Sequence, residues 1–482
     1  MLPGCLQKHS LFLNHAFMMF LCIINFDILR NLKESLLVTR MGAEIIPFIK
    51  LWVVTPSAFL FVFCYSFLAN RLSKQHLFVF TIVPFLVWMP VFSLYLYPNL
   101  AELAPSSICQ MMSDYLPDNL TLISGLLENW PLTILFACAE LWGTGVLCTL
   151  FWSTVNDTST VKSASREYPL LTLVGNSASL LSGPMILLLV RELTGHNDNG
   201  WQVSLIYLSM IFVVCGLIII WLYYHSMTLA PSLSAPQKNH GDTATRLPLK
   251  SSFLFLAKCP YLRSIALIML GYCIAINMAE VAWKSQLVRV YSTESEYSML
   301  MGQLTFYTGL GCLLMAVVTM RLMRFGWRIA ALGTPLLMVC TGIPFFLAVA
   351  LSNSSWLPEA LSAPMLLAGI SIGTLCNVAS KSAKYTLFDV TKEMAFVPLN
   401  NEQKLKGKAS IELIVSRAGK SSSALVQQFL IVTLGSLTAS MHWLASIFMI
   451  ITIVWMVSVG ALSKQYRRYG FIEKGFREKE EG

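Results

Sequence analysis

The sequence predicts an all-α integral membrane protein of twelve transmembrane helices, arranged as two pseudo-symmetric six-helix halves. Three observations carry that prediction. Of 482 residues, 56% are Ala, Val, Ile, Leu, Met, Phe, Trp, Tyr or Cys and only 12% are Asp, Glu, Lys or Arg, and the mean hydropathy is +0.64. A soluble domain carries about a quarter charged residues, so that class is excluded. Apolar runs long enough to cross a bilayer recur along the chain, and short polar motifs in its first half reappear in its second.

The runs lie at about 17–38, 46–69, 77–98, 130–155, 168–191, 201–225, 264–288, 299–320, 329–351, 361–384, 409–436 and 442–463, each near the ~20 residues a spanning helix needs. They leave ordinary loops and no room for a large soluble domain. The first run follows only a short segment with Lys8 and His9 and has no small-residue cleavage site, so it is read as retained. Placing the N-terminus in the cytoplasm puts Lys8, Arg71, Lys74, Lys162, Arg166, Lys238, Arg246, Lys250, Lys258, Arg321, Arg324, Arg328, Lys392, Lys404, Lys406, Lys408 and the basic tail on the inner side. The positive-inside rule therefore predicts both termini in the cytoplasm. Topology accounts for the net charge of +9, so no nucleic-acid partner is invoked, although a basic inner face also attracts anionic metabolites. The outer stretch Asn99 to Asn129 holds Glu102, Asp114, Asp118 and Glu128 without Lys or Arg, and reads as a solvated cap.

The longest inner polar stretch divides the chain into an N-terminal half at 1–226, a cytoplasmic linker at 227–260, a C-terminal half at 261–463 and a basic cytoplasmic tail at 464–482. Repeats support the division. Span one ends in Arg30-Asn31-Leu32-Lys33-Glu34-Ser35-Leu36 and span seven in Glu280-Val281-Ala282-Trp283-Lys284-Ser285-Gln286-Leu287. Span five carries Gly175-Asn176-Ser177-Ala178-Ser179-Leu180, and span eleven Gly419-Lys420-Ser421-Ser422-Ser423-Ala424. Paired six-helix halves with a cytoplasmic linker are the architecture of major-facilitator-type transporters, whose substrates lie near the midplane.

A charge near the bilayer centre costs at least about 2.5 kcal/mol, so intramembrane ionisable residues are candidates for a substrate or ion pathway. Asp27, Arg30, Lys33 and Glu34 in span one are three and four apart, on neighbouring positions of one helical face. Glu140 stands among apolar residues in span four, and Glu280 and Lys284 are spaced i, i+4 in span seven. In span eleven Glu412, Ser416, Lys420, Ser423 and Gln427 form a stripe, with Arg417 beside it. The competing readings are snorkelling for Arg30, Lys33 and Lys284, a protonated structural acid for Glu140, and a solvated helix end for Glu412. Taken together, cations from both halves suit a polyanion, because a phosphate chain satisfies buried lysines. Enzyme motifs are poor matches. Gly419-Lys420-Ser421 has Ile414 where a phosphate loop needs Gly, and Gly369-Ile370-Ser371-Ile372-Gly373 lies inside an apolar span, where small residues serve helix packing. Of the 12 cysteines, nine lie inside apolar runs and Cys109 lies in the outer stretch, a scatter that suggests small packing residues and neither a disulfide framework nor a metal site.

At these residues the chain resembles the ATP/ADP translocase family of plastids and obligate intracellular bacteria. The matching stretches run in family order: Ile28-Leu29-Arg30-Asn31-Leu32-Lys33-Glu34-Ser35-Leu36, Gly42 to Trp52, Ala139-Glu140-Leu141-Trp142-Gly143, Glu280 to Leu287, Lys384 to Ala395, and Lys406-Gly407-Lys408-Ala409 followed by Gly419-Lys420-Ser421. The resemblance implies charged transport residues at Lys33, Glu140, Glu280 and Lys420. The chain departs from the family pattern at Asn31 and Glu34, where Asp is usual, and at Ser410 and Glu412, where Ala and Asp are usual. Asn176 and Ser177 stand in a segment that varies between members.

The expectation is therefore a secondary-active nucleotide transporter of the bacterial inner membrane, most simply an ATP/ADP exchanger and not an enzyme. Proton-coupled net uptake of nucleoside triphosphates, and a non-transporting membrane receptor or scaffold, are the alternatives. The substrate-binding set is Lys33, Glu140, Glu280, Lys420, Arg30, Lys284, Arg417 and Asn176. Nucleotide and membrane lipid are the expected partners, the chain acts as a monomer, and neither metal nor cofactor is called for.

Overall fold

The computed structural model describes residues 4–115, 121–158, 161–196, 199–229, 259–354, 358–399, 407 and 411–480. Residues 230–258 of the expected linker, with Lys238, Arg246, Lys250 and Lys258, lie outside them, as do Lys404, Lys406 and Lys408. The described elements are helical because each long apolar run must satisfy its backbone internally in a bilayer, which a helix does.

In chain order the helices are α1 (Gly4–Met41), α2 (Ile45–Ala69), α3 (Lys74–Leu96), the short outer-loop helices α4 (Ser106–Tyr115) and α5 (Thr121–Glu128), α6 (Trp130–Thr158), α7 (Val161–Ser177), α8 (Ser179–His196) and α9 (Gly200–Leu229). There follow α10 (Pro260–Leu287), α11 (Glu294–Arg324), α12 (Trp327–Ser352), α13 (Ala360–Phe396), α14 (Ser416–Leu434) and α15 (Met441–Tyr466). Among the described residues, 11 helices are long and apolar enough to cross a membrane. Eleven of the twelve expected spans are thus met in that sense, and the difference falls at 409–436. Residues 411–434 of that segment are helical, but Arg417, Lys420, the run of serines and Gln427 and Gln428 make α14 too polar to qualify.

Several helices are locally irregular. α7 and α8 together form the fifth expected span, broken at Ala178, whose N–H turns back to the Gly175 carbonyl at 3.0 Å. Wide helical turns occur at Trp142–Phe151, directly after Glu140, at Lys384–Phe388 within α13, and at Ile411–Val415, which leads into α14. Such turns interrupt the hydrogen-bond ladder and are frequent at functional sites. Gly435, at φ 84°, adopts the left-handed conformation that ends α14, its N–H closing on the Ile431 carbonyl.

By packing, the chain forms two compact units, Met1–Asn239 with Val288–Leu310 and His240–Leu287 with Gly311–Gly482. The first part of α11 therefore belongs with the N-terminal unit. It is held there by Asn31, whose amide donates to the Ser298 carbonyl at 2.8 Å and accepts from the Ser298 hydroxyl at 2.6 Å. Backbones also approach closely: a Cβ added at Gly183 would lie 2.6 Å from the Gly302 carbonyl oxygen. At the helix ends, Glu294 meets Arg40 and accepts from the Tyr97 hydroxyl.

The core of the N-terminal unit forms where α1 packs on α6, α7, α8 and α9. Trp142 is fully buried there, edge-on to Phe85 and beside Phe212, and its indole N–H donates to the Cys22 carbonyl at 3.3 Å. In the C-terminal unit α10 occupies the corresponding place, packed on α13, α14 and α15 around Tyr272, Phe388 and Trp455. Large apolar side chains such as Phe63, Trp221, Phe429 and Val457 point outward, as a lipid-facing surface requires.

Candidate substrate-binding clusters

In the N-terminal unit, the polar face of α1 is drawn inward. Lys33, its side chain only 8% exposed, donates to Glu140 on α6 and sits over the Phe136 ring, 4.3 Å from its centroid. The Glu140 side chain remains 30% exposed, so one side of the pair is open. One turn back on α1, Arg30 lies 3.7 Å from Glu34, which is buried. These placements answer the snorkelling reading for Lys33 with a specific carboxylate partner inside the unit.

Asp27 is a further buried acid of this face. Its Oδ2 accepts from the hydroxyls of Ser179 at 2.8 Å and Ser182 at 2.6 Å, the first residues of α8 past the break. Asn176, just before the break, is half-buried and has no side-chain hydrogen bond among the described residues. A broken helix exposes backbone and small polar groups at depth, which is how transporter sites are commonly lined. Sequence reasoning selected Asn176 but missed the anchoring of Asp27 by Ser179 and Ser182.

In the C-terminal unit, Glu280 on α10 accepts with one oxygen, Oε1, from both Lys284 and Lys381, each at 3.0 Å. The side chains are 15%, 4% and 12% exposed in that order. Lys381 belongs to α13 and was missed from sequence, where it reads as a charge near a span end. The signal that could have found it is the repeat itself. In the N-terminal unit a Lys on the first spanning helix meets a Glu on the fourth; here a Glu on the first meets a Lys on the fourth, with the polarity reversed. The α10 and α13 backbones are brought together by Gly373, where a Cβ would fall 2.5 Å from Trp283 Cδ1, and by the Trp283 indole donating to Thr374 at 3.2 Å. This accounts for the small residues of the Gly369 to Gly373 stretch, which is helical throughout.

Lys420 is exposed on α14 and has no ion pair or hydrogen bond among the described residues, while Arg417 is half-buried one turn before it. Their helix is pressed against α10, since a Cβ at Gly419 would lie 2.7 Å from Cys273 Cβ, and Ser423 donates to the Ile274 carbonyl at 3.4 Å. Glu412 takes a different partner from its stripe: it accepts from Lys392 at 3.1 Å, a lysine also 3.8 Å from Asp389 and 3.7 Å from Glu393. Each unit thus presents lysines of low exposure held by a glutamate within hydrogen-bonding distance. Chemically, such a set can take up an anion in exchange for its own carboxylates.

The sequence profile of the family described as TLC ATP/ADP transporter matches residues 5–466. ADP,ATP carrier protein 1 of Chlamydia pneumoniae is 38% identical over 464 residues, 93% of this chain and 90% of that protein. The chloroplastic ADP,ATP carrier protein 1 of Arabidopsis thaliana is 36% identical, covering 93% and 74%. ADP,ATP carrier protein 4 of Rickettsia conorii is 34% identical, covering 96% and 93%. Among solved structures, a D-xylose-proton symporter superposes with a TM-score of 0.55 at 14% identity, covering 94% of this chain and 97% of that one. A bacterial homologue of the iron transporter ferroportin gives 0.55 at 14%, covering 94% and 98%. These structural likenesses extend to the fold, an all-α major-facilitator-like one.

Proposed function

Because the chain belongs to the TLC ATP/ADP transporter family, we propose that it is a secondary transporter exchanging ATP for ADP by alternating access, without hydrolysis. It does so as a lipid-embedded monomer of a bacterial inner membrane, with both termini in the cytoplasm. The observation that carries this reading is the reversed pair of contacts, Lys33 with Glu140 and Glu280 with Lys381. Ammonium groups held at depth by carboxylates are costly to maintain for structure alone. They suit a substrate that brings several negative charges and leaves again.

In this account Lys33, Arg30, Lys284, Arg417 and Lys420 contact the phosphates. Glu140 and Glu280 hold the lysines when no phosphate is present and receive the base amino group or balance charge when it is. Asn176 supplies a neutral donor and acceptor for the ribose or base. Uptake of labelled ATP into vesicles, with and without internal ADP, tests the reading. Uptake that needs internal ADP supports it; absence of any nucleotide uptake refutes it.

A second reading, net nucleotide uptake driven by protons, draws on Asp27. A carboxyl held by two serine hydroxyls on a broken helix has the placement of a proton carrier. An uncoupler that stops uptake into vesicles without internal ADP favours it.

A further inference from the structure

Well away from the lysine and glutamate clusters, one end of α2, α3, α6 and α9 encloses a cavity of about 230 Å³. Lys74 and Asp157 stand at it as an ion pair of 2.8 Å, and Tyr65, Phe78 and Tyr223 line it. Asp157 is seventeen residues beyond Glu140 on α6, about 20–25 Å along the helix. Pockets that enclose drug-sized ligands run to about 300–1,000 Å³, so this one takes a smaller group than a whole nucleotide.

Tyr223 makes the cavity more than a gap between helices. Its ring is stacked on Phe78, centroids 3.8 Å apart and planes within 6°, which holds the phenol in the cavity wall. Tyrosines near the ends of spanning helices ordinarily turn toward the headgroups. This one is 3% exposed, and its hydroxyl has no hydrogen bond among the described residues. Neither has the hydroxyl of Tyr65, and the Asp157 charge acts on both phenols. A buried donor without an acceptor is costly, so a ligand atom that accepts from Tyr223 is favoured there. The first turn of α3 begins at Lys74, which puts the positive end of that helix dipole at the same wall.

Charge then decides the class of ligand. Lys74 and Asp157 have no other ion pair among the described residues. A bare anion that took Lys74 would therefore leave Asp157 unpaired beside it, and a bare cation on Asp157 would strand Lys74; a ligand carrying both charges satisfies both. We propose that this cavity binds a phosphate ester with a neighbouring ammonium group, the phosphate on Lys74 and the two phenols and the ammonium on Asp157. With both termini cytoplasmic, as proposed above, the site lies at the level of the inner headgroups, where an aminophospholipid supplies that pair of charges. Near the cavity residues, α2 and α9 expose Phe63, Phe67 and Trp221, apolar surface suited to acyl chains.

The test is lipid retention by the purified full-length carrier, read by native mass spectrometry with phosphatidylethanolamine and phosphatidylglycerol as probes. Asp157→Asn, Lys74→Gln and Tyr223→Phe are compared with wild type. Wild type should retain phosphatidylethanolamine in preference to phosphatidylglycerol. Asp157→Asn should abolish or reverse that preference, because it removes the partner of the ammonium and the repulsion of an anion together, whereas Lys74→Gln should weaken both lipids. Tyr223→Phe keeps the ring stack and should lose roughly two- to tenfold for both. Equal retention of the two lipids by wild type would overturn the proposal, as would an unchanged preference in Asp157→Asn or wild-type retention by Tyr223→Phe. Free phosphoethanolamine separates the sources: displacement of the lipid makes the soluble ester a ligand of the site, and lipid retained against it assigns the site to the membrane. Nucleotide takes no part in these measurements, so their failure and a failure of transport are distinct.

Discussion

Replacing Lys33 by Gln separates what its ammonium does for the substrate from what it does for the fold. The side chain is 8% exposed and meets Glu140, which is 30% exposed, and it also lies over the Phe136 ring. Removing one partner of a fully buried pair costs about 3–5 kcal/mol because a stranded charge remains. Here the stranded charge would be Glu140, which is 30% exposed, so the stability loss should fall below that range, nearer the ~1 kcal/mol of an exposed pair. The substrate loses more. A hydrogen bond between a charged donor and a phosphate oxygen contributes about 1.5–3 kcal/mol, or roughly ten- to a hundredfold in affinity. The assay is ATP binding beside thermal unfolding in detergent, with Lys406→Gln as a control at a position the sequence assigns to an inner loop. The expected result is a large affinity loss on a small change in unfolding temperature for Lys33→Gln, and neither for Lys406→Gln. Lys420→Gln, whose lysine has no carboxylate partner among the described residues, should lose affinity with no stability cost. Wild-type binding by Lys33→Gln or Lys420→Gln would refute the phosphate assignment.

Further expectations concern the acids and the helix crossing. In ADP-loaded vesicles Glu140→Gln and Glu280→Gln should still exchange nucleotides and stay insensitive to an uncoupler; a wild type that is uncoupler-sensitive, made insensitive by either change, would make that acid a proton carrier. Asp27→Asn should likewise preserve exchange in the leading account, and loss of pH-driven uptake in that variant alone would move the choice to the proton-coupled reading. Gly373→Ala should destabilise the carrier by about 1–3 kcal/mol, because its Cβ would stand 2.5 Å from Trp283; unchanged unfolding would show that the crossing has room to give.

What could be read from the sequence followed distance along the chain. Apolar runs are local, so the helices fell close to their expected limits, and α14 alone falls short of a spanning helix because a polar stripe replaces part of its apolar surface. The Glu280 and Lys284 pair is local as well, one helical turn apart, and is formed at 3.0 Å. Lys381 is 101 residues from Glu280, and no spacing within one helix announces it. Asn31 counted, in sequence, as the loss of an acid beside Lys33; folded, its amide both donates to and accepts from Ser298, 267 residues away, which a carboxylate cannot do. Glu412 had the right spacing to join Lys420, but spacing fixes a face and not a partner, and Lys392 from α13 takes it. The break at Ala178 left a trace in the sequence as a run of small polar residues, a composition that helix packing also uses.

Counterflow tests the central claim most directly. When no phosphate is bound, enclosing the lysines removes their hydration at a cost of several kcal/mol each, offset only in part by Glu140 and Glu280. A bound polyphosphate removes that penalty, so the carrier should change access readily only when loaded. Vesicles preloaded with labelled ADP should therefore release it much faster into external ATP than into plain buffer. Equal release into both would contradict obligatory exchange and leave proton-coupled uptake, with Asp27 as its first residue to test.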